Sequence, residues 1–222
     1  MNILIGMEVD WIRPSSKAFI EDLLAEFPLE LFVGSVHHVH CVPIDYSTAL
    51  FDEARDISGG SNEKLFEDYF DLQYEMLVAL RPPVVGHFDL IRLKSDDPDT
   101  NFASMEGVRR RISRNLAFIT EYGGVLELNS AALRKGLKEP YPNGVISKEF
   151  LALGGNFTIS DDSHGVDQVG SHYRELLRFA KEVGILQITY LEKGSSNRDP
   201  RFPNVTSKTT TLSLLESHPF FA

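Results

Sequence analysis

The chain has 222 residues, 22 Lys and Arg against 32 Asp and Glu, a net charge of −10, 42% hydrophobic residues and one cysteine, Cys41. The length fits one domain over 1–222 with a full core, since domains of roughly 100–250 residues are common, and the negative charge argues against broad adhesion to nucleic acid or anionic membrane. One cysteine excludes an internal disulfide and no apolar run nears the ~20 residues that span a bilayer, so the reading is a cytoplasmic protein without a leader at its start.

The first candidate strand is Ile3–Asp10, a buried-type run, followed by a helix carrying Phe19, Ile20, Leu23, Leu24 and Phe27 on one side. Leu31–His38 reads as the second strand, and Leu65, Tyr69, Leu72, Met76 and Leu80 make a helical stripe behind it. Val84–Leu90 is the third strand; Val108, Ile112, Leu116 and Ile119 form a helix that Gly123 and Gly124 close. Val125–Asn129 is the fourth strand, and a short helix, Lys148–Leu153, is expected behind a Ser147 cap. Asn156–Ser160 is the fifth strand, a helix on Val169, Tyr173, Leu176, Ala180 and Val183 stops at Gly184, and Leu186–Leu191 is the sixth strand. Strand and helix alternate, which indicates an α/β fold with a parallel sheet, either open and doubly wound or closed into a barrel. No Gly-x-Gly-x-x-Gly follows any strand, which lowers the nucleotide-binding version.

Metal-type residues fall at the carboxyl ends of these strands: Glu8, His37, His87, Glu127, and Asp162 with His164. They lie tens of residues apart, so only a fold that gathers strand ends would bring them together. Alternation puts Val33, Ser35 and His37 on one face and Gly34, Val36 and His38 on the other, so one of the two adjacent histidines is expected inward; His37, beside small Ser35, is the choice. Val125, Glu127 and Asn129 share a face, placing two polar groups where a solvated mouth would satisfy them. Imidazole with carboxylate suits Zn²⁺, Mn²⁺ or Fe²⁺. Arg134, Lys135 and Lys138 follow the fourth strand, and a guanidinium there matches phosphate oxygens. His40, beside the cluster, joins Arg134 as a candidate substrate-binding residue.

These residues carry a resemblance to the PHP (polymerase and histidinol phosphatase) family, and within it to the fungal monofunctional histidinol-phosphatases. The strings are Gly6-Met7-Glu8-Val9-Asp10, Gly34 through His40, Val85-Gly86-His87-Phe88-Asp89, Leu126 through Asn129 with Leu133-Arg134-Lys135-Gly136, and Ser160 through Gly165. The resemblance implies a distorted (β/α)7 barrel with up to three divalent metals at the strand ends. By motif, Glu8 would bridge two metals, His37 and His87 would complete the second, Asp162 would bind the first and His164 the third; Glu8, His37, Asp162 and His164 are the catalytic candidates. Arg134 matches a position that contacts the substrate phosphate, and the implied reaction is hydrolysis of L-histidinol phosphate to L-histidinol and phosphate.

The family's first motif, a His-x-His pair with the acid and histidine ligands that follow it, is absent. The expectation is therefore a barrel incomplete at its N-terminus, with strand edges open to self-association. Of the three implied metals only the second keeps all its protein ligands, which predicts one well-held ion in a His₂Glu site. Alternatives are a PHP phosphoesterase acting on another small phosphate and an inactive binding protein. An amidohydrolase-type barrel ranks below them, because Ser160–His164 and Leu133–Gly136 fit the phosphatase better.

Overall fold

The computed structural model describes residues 3–194 and 199–221. In chain order the elements are β1 (Gly6–Asp10), α1 (Ser16–Glu26), β2 (Leu31–Ser35), β3 (His38–Val39), β4 (Val42–Pro43), α2 (Thr48–Ile57), α3 (Asn62–Leu80), β5 (Val84–Val85) and α4 (Glu106–Tyr122). They continue with β6 (Val125–Asn129), α5 (Ala131–Arg134), α6 (Gly144–Ala152), β7 (Asn156–Ser160), α7 (Tyr173–Val183), β8 (Gln187–Lys193), β9 (Val205–Thr211) and α8 (Leu212–Glu216).

The central sheet is parallel, in the order β1-β2-β5-β6-β7, with Asp10 in register with Ser35, Gly34 with Val85, Val85 with Leu126, and Asn129 with Ser160. All five carboxyl ends therefore lie along one side. The alternation of strand and amphipathic helix dictates this arrangement, because each helix buries its apolar stripe against the sheet: Leu65, Tyr69, Met76 and Leu80 of α3 and Val108, Ile112, Leu116 and Ile119 of α4 are all buried. Gly123 and Gly184 close α4 and α7 at φ +77° and +98°, left-handed conformations that glycine takes without steric cost. No described helix is long and apolar enough to cross a membrane.

Three expectations are corrected. The sixth strand is not part of the parallel sheet: β8 pairs antiparallel with β9, Gln187 opposite Thr211. The short helix begins a turn earlier than expected, because Asn143 accepts from the amides of both Val145 and Ile146, while Ser147 lies inside the helix and donates to the carbonyl of Pro142. The second and third strands are shorter than their apolar runs, ending at Ser35 and Val85. In both cases a carboxylate from another strand captures the amide two residues past the strand end: Asp10 Oδ1 accepts the His37 N–H at 3.0 Å, and Glu127 Oε2 accepts the His87 N–H at 2.8 Å. The ladder stops there and the chain turns away.

Candidate metal centre

These terminations set the histidines at the carboxyl edge of the sheet, facing Glu8. Glu8 Oε1 lies 2.9 Å from His87 Nε2 and 3.4 Å from His37 Nε2, and the two imidazoles meet edge to face with centroids 4.7 Å apart. One ligand atom from each of the three residues falls within 4.8 Å of the others, the ligand set that the described residues contain. Bonds of about 2.0–2.2 Å in a tetrahedral site place ligand atoms about 3.3 Å apart, so this donor set fits a divalent ion with small adjustments. The chemistry agrees: two imidazoles and one carboxylate suit Zn²⁺, Mn²⁺ or Fe²⁺.

The surroundings orient the ligands. Asp10 Oδ1 is 3.4 Å from His37 Nδ1, and Asp10 Oδ2 is 2.7 Å from His38 Nδ1. A carboxylate on Nδ1 leaves Nε2 of His37 free to ligate. Of the two adjacent histidines, His37 is the one in the ligand set; alternation lapses once β2 ends at Ser35, and the His38 ring reaches the other oxygen of Asp10. The expectation for Glu127 and Asn129 is corrected. Both are buried, and Glu127 Oε2 is satisfied by the His87 amide and by Asn129 Nδ2 at 3.0 Å.

Burial would raise the carboxyl of Glu8, but the hydrogen bond and charge of His87 outweigh it and hold Glu8 at about 2. Burial would lower His87, yet the hydrogen bond and charge of Glu8, with Glu127 and Asp162 nearby, raise it to about 9. Without an ion, one proton sits between Glu8 and His87. Burial pushes Glu127 upward, partly offset by His87.

A cavity of about 310 Å³ opens over the triad, lined also by Asp10, Asp45, Leu90, Lys135, Asp162 and His164. Asp162 and His164 thus reach the cavity but stand outside the three-residue ligand set. Asp162 has φ +49°, and its carbonyl lies 2.9 Å from His164 Nδ1. Arg134 is placed differently from expectation: its Nη1 and Nη2 donate to the carbonyls of Asp161 and Asp162 at 2.7 and 3.0 Å, so its fork braces that turn and does not line the cavity. His40 is also off the lining, with Nε2 3.0 Å from Ser58 Oγ and 2.9 Å from Asp68 Oδ2. Sequence reasoning assigned no role to Asp10 or Asp45, and named Lys135 only as a member of the basic cluster with Arg134 and Lys138. Asp10 had a signal, since it stands two residues from Glu8 on the same strand face; Asp45 had none.

A parallel α/β sheet that gathers a glutamate and two histidines from three strand ends over a cavity defines a metal-site protein of the hydrolase type. The PHP domain family matches residues 1–131. A candidate histidinol-phosphatase of Schizosaccharomyces pombe is 40% identical over 207 residues, 93% of this chain and 68% of that protein. The histidinol-phosphatase of Saccharomyces cerevisiae is 33% identical, covering 99% of this chain and 71% of that protein. Among solved structures, a candidate histidinol phosphatase from Listeria monocytogenes superposes with a TM-score of 0.71 at 27% identity, over 78% of this chain and 68% of that one. The histidinol phosphate phosphatase of Lactococcus lactis, complexed with zinc, L-histidinol and phosphate, gives a TM-score of 0.63 over 84% of this chain and 68% of that one. Its 18% identity supports likeness of fold alone. The chain belongs to the PHP domain family.

Proposed function

We propose that this protein is a metal-dependent phosphomonoesterase that hydrolyses L-histidinol phosphate to L-histidinol and phosphate. The observation that carries this reading is the Glu8–His37–His87 set at the floor of a cavity, in a chain similar along most of its length to fungal histidinol-phosphatases. Those relatives support the substrate; the Lactococcus lactis complex supports only the fold.

In this reading Glu8, His37 and His87 hold a divalent ion. Asp10 keeps the His37 ring turned so that Nε2 points at Glu8, and Glu127 anchors the His87 backbone. A divalent ion in such a site supplies positive charge against phosphoryl oxygens and acidifies water. Asp162 and His164 face the same cavity and complete its catalytic side, while Arg134 fixes the turn that carries them. The same reading takes residues 1–222 as one metallophosphatase domain, its five parallel strands being part of a distorted seven-stranded barrel, and takes the protein to be cytoplasmic.

The test is phosphate release from L-histidinol phosphate by the chelator-stripped chain with Zn²⁺ or Mn²⁺ restored. Turnover that needs the metal and is lost in His87→Ala is the expected result. Turnover indifferent to chelation would overturn the metal role. Hydrolysis of other small phosphate esters without L-histidinol phosphate would overturn the substrate.

A further inference from the structure

The cavity lining contains two opposite charges that the ligand set does not use. Asp10 spends both carboxylate oxygens on His37 and His38, and the Asp162 carboxylate lies 3.8 Å from His164 Nδ1. Asp45 and Lys135 also line the cavity, yet neither side chain has a hydrogen-bond or ion-pair partner among the described residues, and they do not pair with each other. Asp45 is half-buried in the segment between β4 and α2, and Lys135 is exposed where α5 ends. Lys135 is the single Lys or Arg among the residues lining the cavity.

Asp45 is a half-buried carboxylate on the lining that also carries Glu8, Asp10 and Asp162, so a cationic group is better received at its oxygens than an anion. The lysine on the same lining does the opposite, supplying a compact positive charge with three donors to phosphate oxygens. The volume, about 310 Å³, suits a small molecule that touches both. We propose that Asp45 and Lys135 are the substrate-recognition residues of this cavity, Lys135 holding the phosphate and Asp45 the ammonium group of an amine-bearing phosphate monoester. This deepens the function proposed above and rests on it for the phosphate chemistry. It also moves the phosphate contact from Arg134, whose fork is occupied, to the neighbouring lysine.

The experiment compares binding of O-phosphoethanolamine and ethyl phosphate, which differ by the ammonium alone, to the full zinc-supplemented chain. Wild type should prefer the amine by about tenfold, the usual size of one charge-assisted contact. Asp45→Asn should abolish the preference while keeping ethyl phosphate affinity. Lys135→Met should weaken both esters by about tenfold and keep the preference, with circular dichroism confirming that each variant is folded. An absent preference in wild type, a preference surviving in Asp45→Asn, undiminished binding in Lys135→Met, or no measurable binding of either ester would overturn the proposal. Failure of the functional reading is a separate result: the pattern above would stand, but L-histidinol phosphate would release no phosphate.

Discussion

Asp10 touches His37 twice, accepting its backbone N–H at 3.0 Å and lying 3.4 Å from its Nδ1 through the same oxygen, Oδ1. One carboxylate thus ends β2 and sets the ring orientation of His37, two residues past its end. Burial raises the Asp10 carboxyl, but the hydrogen bonds from His37 outweigh that and lower it, so it remains ionised to do both. Asp10→Asn keeps the shape and removes the charge. Loss of such a supporting carboxylate weakens metal affinity by about 10–100-fold, and zinc titration against a competing chelator should show a decrease of that order with the fold intact by circular dichroism. Unchanged affinity would mean that His37 needs no support.

The Glu8–His87 pair makes metal binding and stability depend on pH. The His87 pKa rises from 6.5 to about 9, so its stabilisation of the metal-free chain is complete below 6.5 and disappears as pH rises through about 9. The Glu8 pKa falls from 4.5 to about 2, so its contribution is complete above 4.5 and disappears as pH falls toward about 2. A metal must displace the shared proton, so zinc affinity should climb about tenfold per pH unit between neutrality and about 9, then level off. Calorimetry in buffers of different ionisation enthalpy should count about one proton released per ion. A pH-independent affinity would contradict the pairing.

The three-residue ligand set also predicts the stoichiometry. Equilibrium dialysis should find one tightly held zinc per chain, and His87→Ala should abolish it. Two or three tight sites would show that Asp162 and His164 recruit further ions in solution.

The β3–β4 hairpin carries His40 and Cys41 at its tip, both left-handed at φ +54° and +64°. Two-residue hairpins of this type want positive φ at both central positions, which costs a residue with a Cβ about 1–2 kcal/mol. Cys41→Gly should raise unfolding stability by about 0.5–1 kcal/mol, part of the relief being offset by glycine's greater freedom in the unfolded chain. Urea denaturation measures it, and Cys41→Ala, which keeps the Cβ, should gain nothing.

Arg92 is buried and ties three segments together, donating to Asp89 Oδ2 at 2.9 Å and to the carbonyls of Pro98, Glu139 and Pro140 at 2.8, 3.0 and 2.6 Å. Arg92→Met would leave buried Asp89 without its guanidinium, holding only the Asn143 amide at 3.0 Å, and removing one member of a buried pair costs about 3–5 kcal/mol. Chemical denaturation should show a loss of that size, smaller in the double variant Asp89→Asn, Arg92→Met.

Much of the site was legible in one dimension because strands and helices announce themselves by local periodicity. β6 and β7 have the bounds their apolar runs predict, and Gly123 and Gly184 close helices as expected, since each signal depends on neighbours a few residues away. Glu8, His37 and His87 were legible as candidates because a parallel sheet gathers its carboxyl ends, whatever the distance along the chain. What periodicity could not reveal was decided by contacts between distant residues. Asp10 and Glu127 end two strands by capturing amides that the ladder would otherwise use, and this turns both His37 and His38 toward Asp10. Arg134 looked free as a sequence position, but the Asp161–Asp162 turn presents two carbonyls at the spacing of its fork, and the guanidinium settles there. Lys135, one residue further on, lines the cavity instead. The sequence by itself determined the five parallel strands, the main helices between them and the chemical groups at the strand ends; the tertiary structure decided where β2 and β5 stop, that β8 pairs antiparallel with β9, and which of two neighbouring side chains reaches the cavity, because contacts between distant residues compete with local pattern and, at these few positions, win.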